Sequence, residues 1–220
     1  MDDPILDLIT SGLKHQVHKW HHYLPLYHRH FEKYRRAGSP ENKVQILEIG
    51  VSRGGSLDLW NKYFGEENCQ IYGVDLDPKC KSLEQGNIKI FIGDQSNREF
   101  LKKLRESIPQ IDILIDDGGH KVVEQINTFE ELYEHVKWGG VYLCEDTHTS
   151  YFKNYGGGFR QTGTFIEYSK DLVDKLNYHH HRVTPHDHFT QSCRGVFFYD
   201  SMVFFEKAPA PLPVPTHKVW

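Results

Sequence analysis

The sequence predicts an α/β fold with a mostly parallel central sheet. Short Ile- and Val-rich runs alternate with amphipathic helical stripes, glycine turns join many runs to the next stripe, and two β-rich runs with a tight turn come last. Each right-handed crossover lays its helix on the sheet, so helices cover both faces, and the closing pair adds a C-terminal antiparallel β-hairpin at one edge.

The elements run in order along the chain. Ile5, Leu6, Ile9 and Leu13 mark a first short helix, and Leu24, Tyr27, Phe31 and Tyr34 a second, with Pro25 in its first turn. Gly38-Ser39-Pro40 ends it, and Val44 to Ile49 reads as a buried strand running into a glycine-rich turn. Leu57, Trp60 and Phe64 give a helix closed by Gly65, and Ile71 to Val74 a strand ending in Asp75. Ile88 to Ile92 is the third strand, and Ser96 and Glu99 have the spacing of a capping box for the next helix. After strand Ile111 to Ile115, a stripe of Val122, Ile126, Phe129, Tyr133 and Val136 predicts a helix stopped by Gly139-Gly140, before strand Val141 to Cys144. Residues 147 to 163 read as a long loop, and Thr164 to Glu167 caps a helix through Leu176. Val196 to Tyr199 and Met202 to Phe205 form the hairpin around Asp200-Ser201, and an extended tail starts at Ala208. The expected division is a helical lid or substrate segment over residues 1–40, a cofactor-binding catalytic domain over 41–207 and a tail over 208–220.

With 220 residues and 38% hydrophobic content, one full core is within reach. A net charge of -4 argues against sequence-independent nucleic-acid binding, which needs a basic excess. Cys69, Cys80, Cys144 and Cys193 form no C-x-x-C pair and read as reduced thiols. The N-terminus lacks a basic and apolar leader, and no apolar run approaches the roughly 20 residues that span a bilayer. A cytoplasmic chain without a membrane partner is the expectation.

In open parallel sheets, ligands sit beyond the carboxyl ends of the strands, so the residues there carry the functional reading. The first strand ends Glu48-Ile49-Gly50-Val51-Ser52-Arg53-Gly54-Gly55-Ser56, where glycines let backbone approach a ligand at a helix N-terminus. A dinucleotide fingerprint needs a second glycine at position 52, which is Ser52. Glu48 opposes a pyrophosphate and favours a cationic ammonium group, which points to a ligand with an amino-acid moiety. Asp75 suits a ribose diol, and Gly93-Asp94-Gln95 an adenine edge. A tight turn and solvated or capping acids are the plain structural alternatives.

Two further strand ends, Asp116-Asp117-Gly118-Gly119-His120 and Glu145-Asp146-Thr147-His148, are acidic. If their strands are adjacent, about 4.8 Å apart, Asp117, Glu145 and Asp146 come within reach of one ion. Such crowding calls for a cation or protons, and oxygen ligands suit Mg²⁺, Mn²⁺ or Ca²⁺. His120 is the candidate general base, with His148 in reserve.

These segments resemble the metal-dependent class I methyltransferases that methylate deoxysugars of macrolide antibiotics, the macrocin and mycinamicin O-methyltransferase family. The likeness runs through His18-Lys19-Trp20-His21-His22-Tyr23, Leu47 to Val51, Asp75-Leu76-Asp77-Pro78, Gly93-Asp94-Gln95, Ile115 to His120 and Glu145 to Tyr151. It implies a Rossmann-like class I methyltransferase fold and S-adenosyl-L-methionine bound around Glu48, Gly50, Ser56, Asp75, Asp94 and Gln95. Asp77 and Asp116, inside the matched motifs, join that set. It further implies Mg²⁺ on Asp117, Glu145 and Asp146, and His120 as base. The implied acceptor is a small-molecule hydroxyl, on a sugar or vicinal diol of a natural product. Some family members carry a large N-terminal domain that helps build an oligomer, so a homo-oligomer stays an open expectation. Rival readings are a nucleotide-linked oxidoreductase or epimerase on the same architecture, and a non-catalytic binding protein.

Two clusters stand apart. Trp20, Tyr23, Tyr27, Tyr151, Phe152 and Tyr155 offer flat faces for a sugar or aromatic ring, or pack in the core. His179-His180-His181, with His186 and His188, lacks the spacing of a facial-triad oxygenase and reads as a solvated or packed loop.

Overall fold

The computed structural model describes residues 3–215. Its centre is a seven-stranded sheet of β1 (Val44–Ile49), β2 (Cys69–Asp75), β3 (Ile88–Ile92), β4 (Ile111–Asp116), β5 (Val136–Cys144), β6 (Cys193–Tyr199) and β7 (Met202–Lys207). The order is β3-β2-β1-β4-β5-β7-β6, with β1 to β5 parallel. β7 runs antiparallel to β5, and β6 antiparallel to β7. The hairpin therefore contributes one reversed strand, and β6 at the edge again runs with the others.

Alternate strand residues divide the core into two layers, as a period of two requires. Ile46, Ile71, Ile113 and Val141 face one layer, with α1 (Pro4–Thr10), α2 (Leu24–Ala37) and α3 (Gly55–Phe64). Leu47, Tyr72, Leu114 and Tyr142 face the other. That layer is covered by α4 (Arg98–Ser107), α5 (Val122–Leu132) and α6 (Phe165–Leu176), with Phe189 of α8 (His188–Ser192) beside them. α7 (Tyr178–His181) is a single turn.

Four sequence expectations shift. Leu13 lies beyond the end of α1, yet packs against the same core. Asn97, not Ser96, caps α4: its side chain accepts the amides of Glu99 and Phe100 at 3.0 and 3.2 Å. α5 ends at Leu132, and Val136 with Gly139-Gly140 belongs to β5, where the register against β4 is irregular and Gly139 takes φ 82°. A glycine pair that reads as a helix stop is thus a distortion within a strand. The loop 147–163 contains two 3₁₀ turns, Thr147–Tyr151 and Lys153–Tyr155. Thr164 caps α6 through the amide of Glu167, as its spacing predicts. Of the tail, residues 208–215 carry no helix or strand, and 216–220 fall outside the described residues, as do 1 and 2 at the other end.

No helix among the described residues is long and apolar enough to cross a membrane. The His-rich segment is packed locally: Tyr178 and His186 rings stack at 4.6 Å, and His181 Nε2 meets the Asp174 carbonyl at 2.7 Å.

Candidate active site

The strand order reverses between β1 and β4, and a cleft of about 650 Å³ opens at that switch point. Backbone bonds carry the ladder one residue past the strands. Gly93 N donates to Asp75 O, Gly50 N to Val74 O, Asp117 N to Ile49 O and Glu145 N to Asp116 O, all at 2.8 to 2.9 Å. This register delivers the glycine turn and the acidic turns to one edge.

Gly50 takes φ 96°, and a Cβ there would lie 2.0 Å from the Asp117 carbonyl oxygen. The turn is buttressed from β2: Asp75 Oδ2 accepts the amides of Val51 and Ser52 at 2.9 and 2.8 Å. Its Oδ1 accepts the Asp77 amide at 2.9 Å. Ser56, in the first turn of α3, donates to Glu48 Oε2 at 2.9 Å. Burial pushes the Glu48 carboxyl up to about 7, against the pull of the Lys19 ammonium.

At the ends of β4 and β5, Asp117, His120 and Asp146 present ligand atoms within 4.8 Å of one another. His120 and Asp146 both adopt left-handed backbone, at φ 58° and 52°, a region that non-glycine residues rarely enter. Thr149 ties the two turns together: its buried hydroxyl bridges the carbonyls of His120 and Asp146 at 2.9 Å each. His120 Nε2 stands 3.5 Å from Asp146 Oδ2, and Tyr23 OH donates to Asp146 Oδ1 at 2.7 Å.

Lys19 enters the cluster from the N-terminal side. Its ammonium, on a side chain only 3% exposed, donates to Asp117 Oδ2 at 2.6 Å and Glu145 Oε2 at 2.8 Å, and lies 4.0 Å from Glu48 Oε1. Burial opposes its charge, but Asp117 and Glu145 outweigh that and hold Lys19 well above the ordinary lysine range. One ammonium cannot neutralise all these carboxylates. Burial and then repulsion by Asp117 push the Glu145 carboxyl upward in spite of Lys19.

The donor set suits a hard divalent cation. Carboxylates from both strand ends converge, and Glu145 Oε1, Glu48 Oε1 and His120 Nδ1 are buried without a hydrogen-bond partner among the described residues.

No family model matches the chain. Mycinamicin VI 2''-O-methyltransferase of Micromonospora griseorubida is 32% identical over 203 residues, which are 85% of this chain and 48% of that protein. Demethylmacrocin O-methyltransferase of Streptomyces fradiae is 33% identical over 224 residues, covering 93% of this chain and 53% of the relative. The structure of the methyltransferase MycE from the mycinamycin pathway, in complex with Mg, SAH and mycinamycin VI, superposes with a TM-score of 0.82. That match has 30% identity and covers 98% of this chain and 57% of MycE. This chain is a homologue of the macrolide sugar O-methyltransferases. It spans about half the length of the curated relatives it matches.

In this O-methyltransferase homologue the residues singled out in the sequence fall into two groups. Gly50, Ser56, Asp75, Asp94, Gln95, Asp117, His120, Glu145 and Asp146 line the cleft. Glu48, Asp77, Asp116 and His148 do not. Asp77 caps the 3₁₀ turn Pro78–Leu83 through the Lys79 amide. Burial pushes the Asp116 carboxyl up to about 8, against hydrogen bonds from Gln95 and the Gly118 amide. Gln95 uses both ends of its amide, donating to Asp116 Oδ1 at 2.5 Å and accepting from Gly119 N at 3.0 Å. Both Asp116 and Gln95 thus brace the cleft floor. His148 Nδ1 meets Ser201 Oγ, and its ring packs 5.5 Å from Trp20 and 5.4 Å from Phe152. Sequence reasoning did not single out Lys19, Thr149 or the Tyr23 hydroxyl as site groups. A lysine among aromatics gives no local sign that it will be buried against acids about a hundred residues away.

Proposed function

We propose that the chain is an S-adenosyl-L-methionine-dependent O-methyltransferase that uses a divalent cation and methylates a hydroxyl of a sugar or vicinal diol. The observation that carries this reading is the union, in one cleft, of the Gly50 turn with the Asp117, His120 and Asp146 cluster. Homology to enzymes that methylate antibiotic sugars supports the same reaction class.

Each residue then has a part. The Gly50 turn and the start of α3 receive the amino-acid end of the methyl donor, Ser56 and buried Glu48 lie beneath its ammonium, and Asp75 and Asp94 lie along the path to its ribose and base. Asp117, Glu145 and Asp146 hold Mg²⁺, or Mn²⁺ or Ca²⁺ in its place. When bound, such an ion supplies positive charge that eases loss of a hydroxyl proton. His120, steadied by Asp146, takes that proton while the acceptor oxygen bonds to the methyl carbon and the carbon–sulfur bond breaks. His148 is the weaker candidate because Ser201 occupies its Nδ1. Trp20 and Phe152 are exposed and pack on His148 beside the cluster, and with exposed Tyr151 they supply flat faces for the acceptor.

The test is methyl transfer from labelled S-adenosylmethionine to a panel of sugar and catechol diols, with and without chelator. Transfer that ignores the chelator removes the cation from the reading. Calorimetric binding of NAD in place of S-adenosylmethionine overturns it in favour of the oxidoreductase.

A further inference from the structure

Lys19 lies on residues 14–20, a stretch without helix or strand that crosses the cleft. The stretch is fixed at His15, whose amide and Nδ1 meet Asp58 Oδ2 at 2.6 and 2.9 Å. It is fixed again at Gln16, whose carbonyl oxygen lies 2.2 Å from where a Gly55 Cβ would sit. From there Lys19 reaches inward and takes one oxygen each of Asp117 and Glu145, two of the three carboxylates that would hold the divalent ion. Carboxylates this close, Glu145 buried and Asp117 partly so, repel unless a cation or a proton lies between them. A divalent ion drawing on Asp117 and Glu145 draws on groups the ammonium already holds.

We infer that Lys19 is the resident counter-ion of the cation site, a positioning residue that holds Asp117 and Glu145 in place and competes with the divalent ion for their oxygens. This rests on the proposed metal site. Its consequence runs against ordinary packing. Removing Lys19 takes a positive charge and a competitor away from the Asp117 and Glu145 oxygens, so the ion binds more tightly although the ion-free chain becomes less stable.

The experiment is calorimetric titration of Mg²⁺ alone into the wild type and the K19M, K19Q and K19R variants, with melting temperatures measured with and without Mg²⁺. K19M and K19Q are expected to bind Mg²⁺ about tenfold more tightly or better, to melt below the wild type without the ion, and to recover with it. K19R, which keeps the charge, is expected to stay near the wild-type affinity. Unchanged or weaker Mg²⁺ binding by both neutral variants overturns the competition while leaving the metal site intact. No Mg²⁺ binding by the wild type overturns both. If a neutral variant unfolds without the ion, its recovery on adding Mg²⁺ supports the inference, and failure of both to recover overturns it.

Discussion

Replacing Gly50 by alanine tests whether the cleft floor depends on direct backbone contact between the turn after β1 and the turn after β4. Gly50 has φ 96°, and the added Cβ would meet Asp117 O at 2.0 Å, Asp117 C at 2.6 Å and Gly118 Cα at 3.0 Å. All three are backbone atoms, so no side chain can swing aside. The left-handed conformation costs a residue with a Cβ about 1–2 kcal/mol. Overpacking against backbone adds about 1–3 kcal/mol, for a sum of about 2–5 kcal/mol. For a domain of this size each kcal/mol lowers the melting temperature about 2–4 °C, so G50A is expected to melt about 4–20 °C below the wild type. Because the atoms pushed away belong to Asp117 and Gly118, S-adenosylmethionine and Mg²⁺ binding weaken with it. Calorimetric unfolding and titration of both ligands measure this. A G50A protein that melts within about 2 °C of the wild type and binds both ligands as well would refute the reasoning.

Three other outcomes are expected. H120A lowers turnover about 10²- to 10⁴-fold with the calorimetric affinity for S-adenosylmethionine unchanged, and activity that survives assigns the base to His148 or solvent. T149V leaves the His120 carbonyl without its hydroxyl donor, while the Asp146 carbonyl keeps the Thr149 amide, so it costs about 1–3 kcal/mol in denaturant unfolding and weakens Mg²⁺ binding. Lys207 is buried, donates to the carbonyls of Tyr133 and Glu134 at 3.2 and 2.8 Å, and is held down to about 8 by burial. The folded chain therefore releases a proton that the unfolded chain keeps up to about 10.4, so wild-type stability gains from this group as pH rises between those values. Urea titrations across that window are expected to show the gain in the wild type and not in K207M.

Strand positions and the switch-point site were legible because they depend on local periodicity and on the residues just past each strand. The turns around Gly50 to Ser56 and Asp117 to His120 lie together where the sequence expects them, since parallel pairing brings these strand ends to one edge. The distortion at Gly139 was not legible, because a glycine pair after an apolar stripe reads the same whether it ends a helix or bends a strand. Gln95 shows a further limit. Its place after β3 marked it as a ligand residue, and only the packed structure shows its amide spanning Asp116 and Gly119. Lys19 was illegible for the reason that makes it interesting, since its partners are set by tertiary contact alone.

The place of β7 in the sheet has a consequence for how the site comes into being during synthesis. β7 inserts between β5 and β6, pairing Val141–Cys144 with Val203–Glu206. Ser201, at the turn just before it, receives the Thr147 amide and the Tyr23 hydroxyl on its carbonyl and meets His148 through its own hydroxyl. The turn that carries Glu145 and Asp146 is therefore seated by residues that leave the ribosome long after it. A nascent chain halted before Ser201 holds every candidate ligand and base, yet lacks the strand that sets two of those ligands in place.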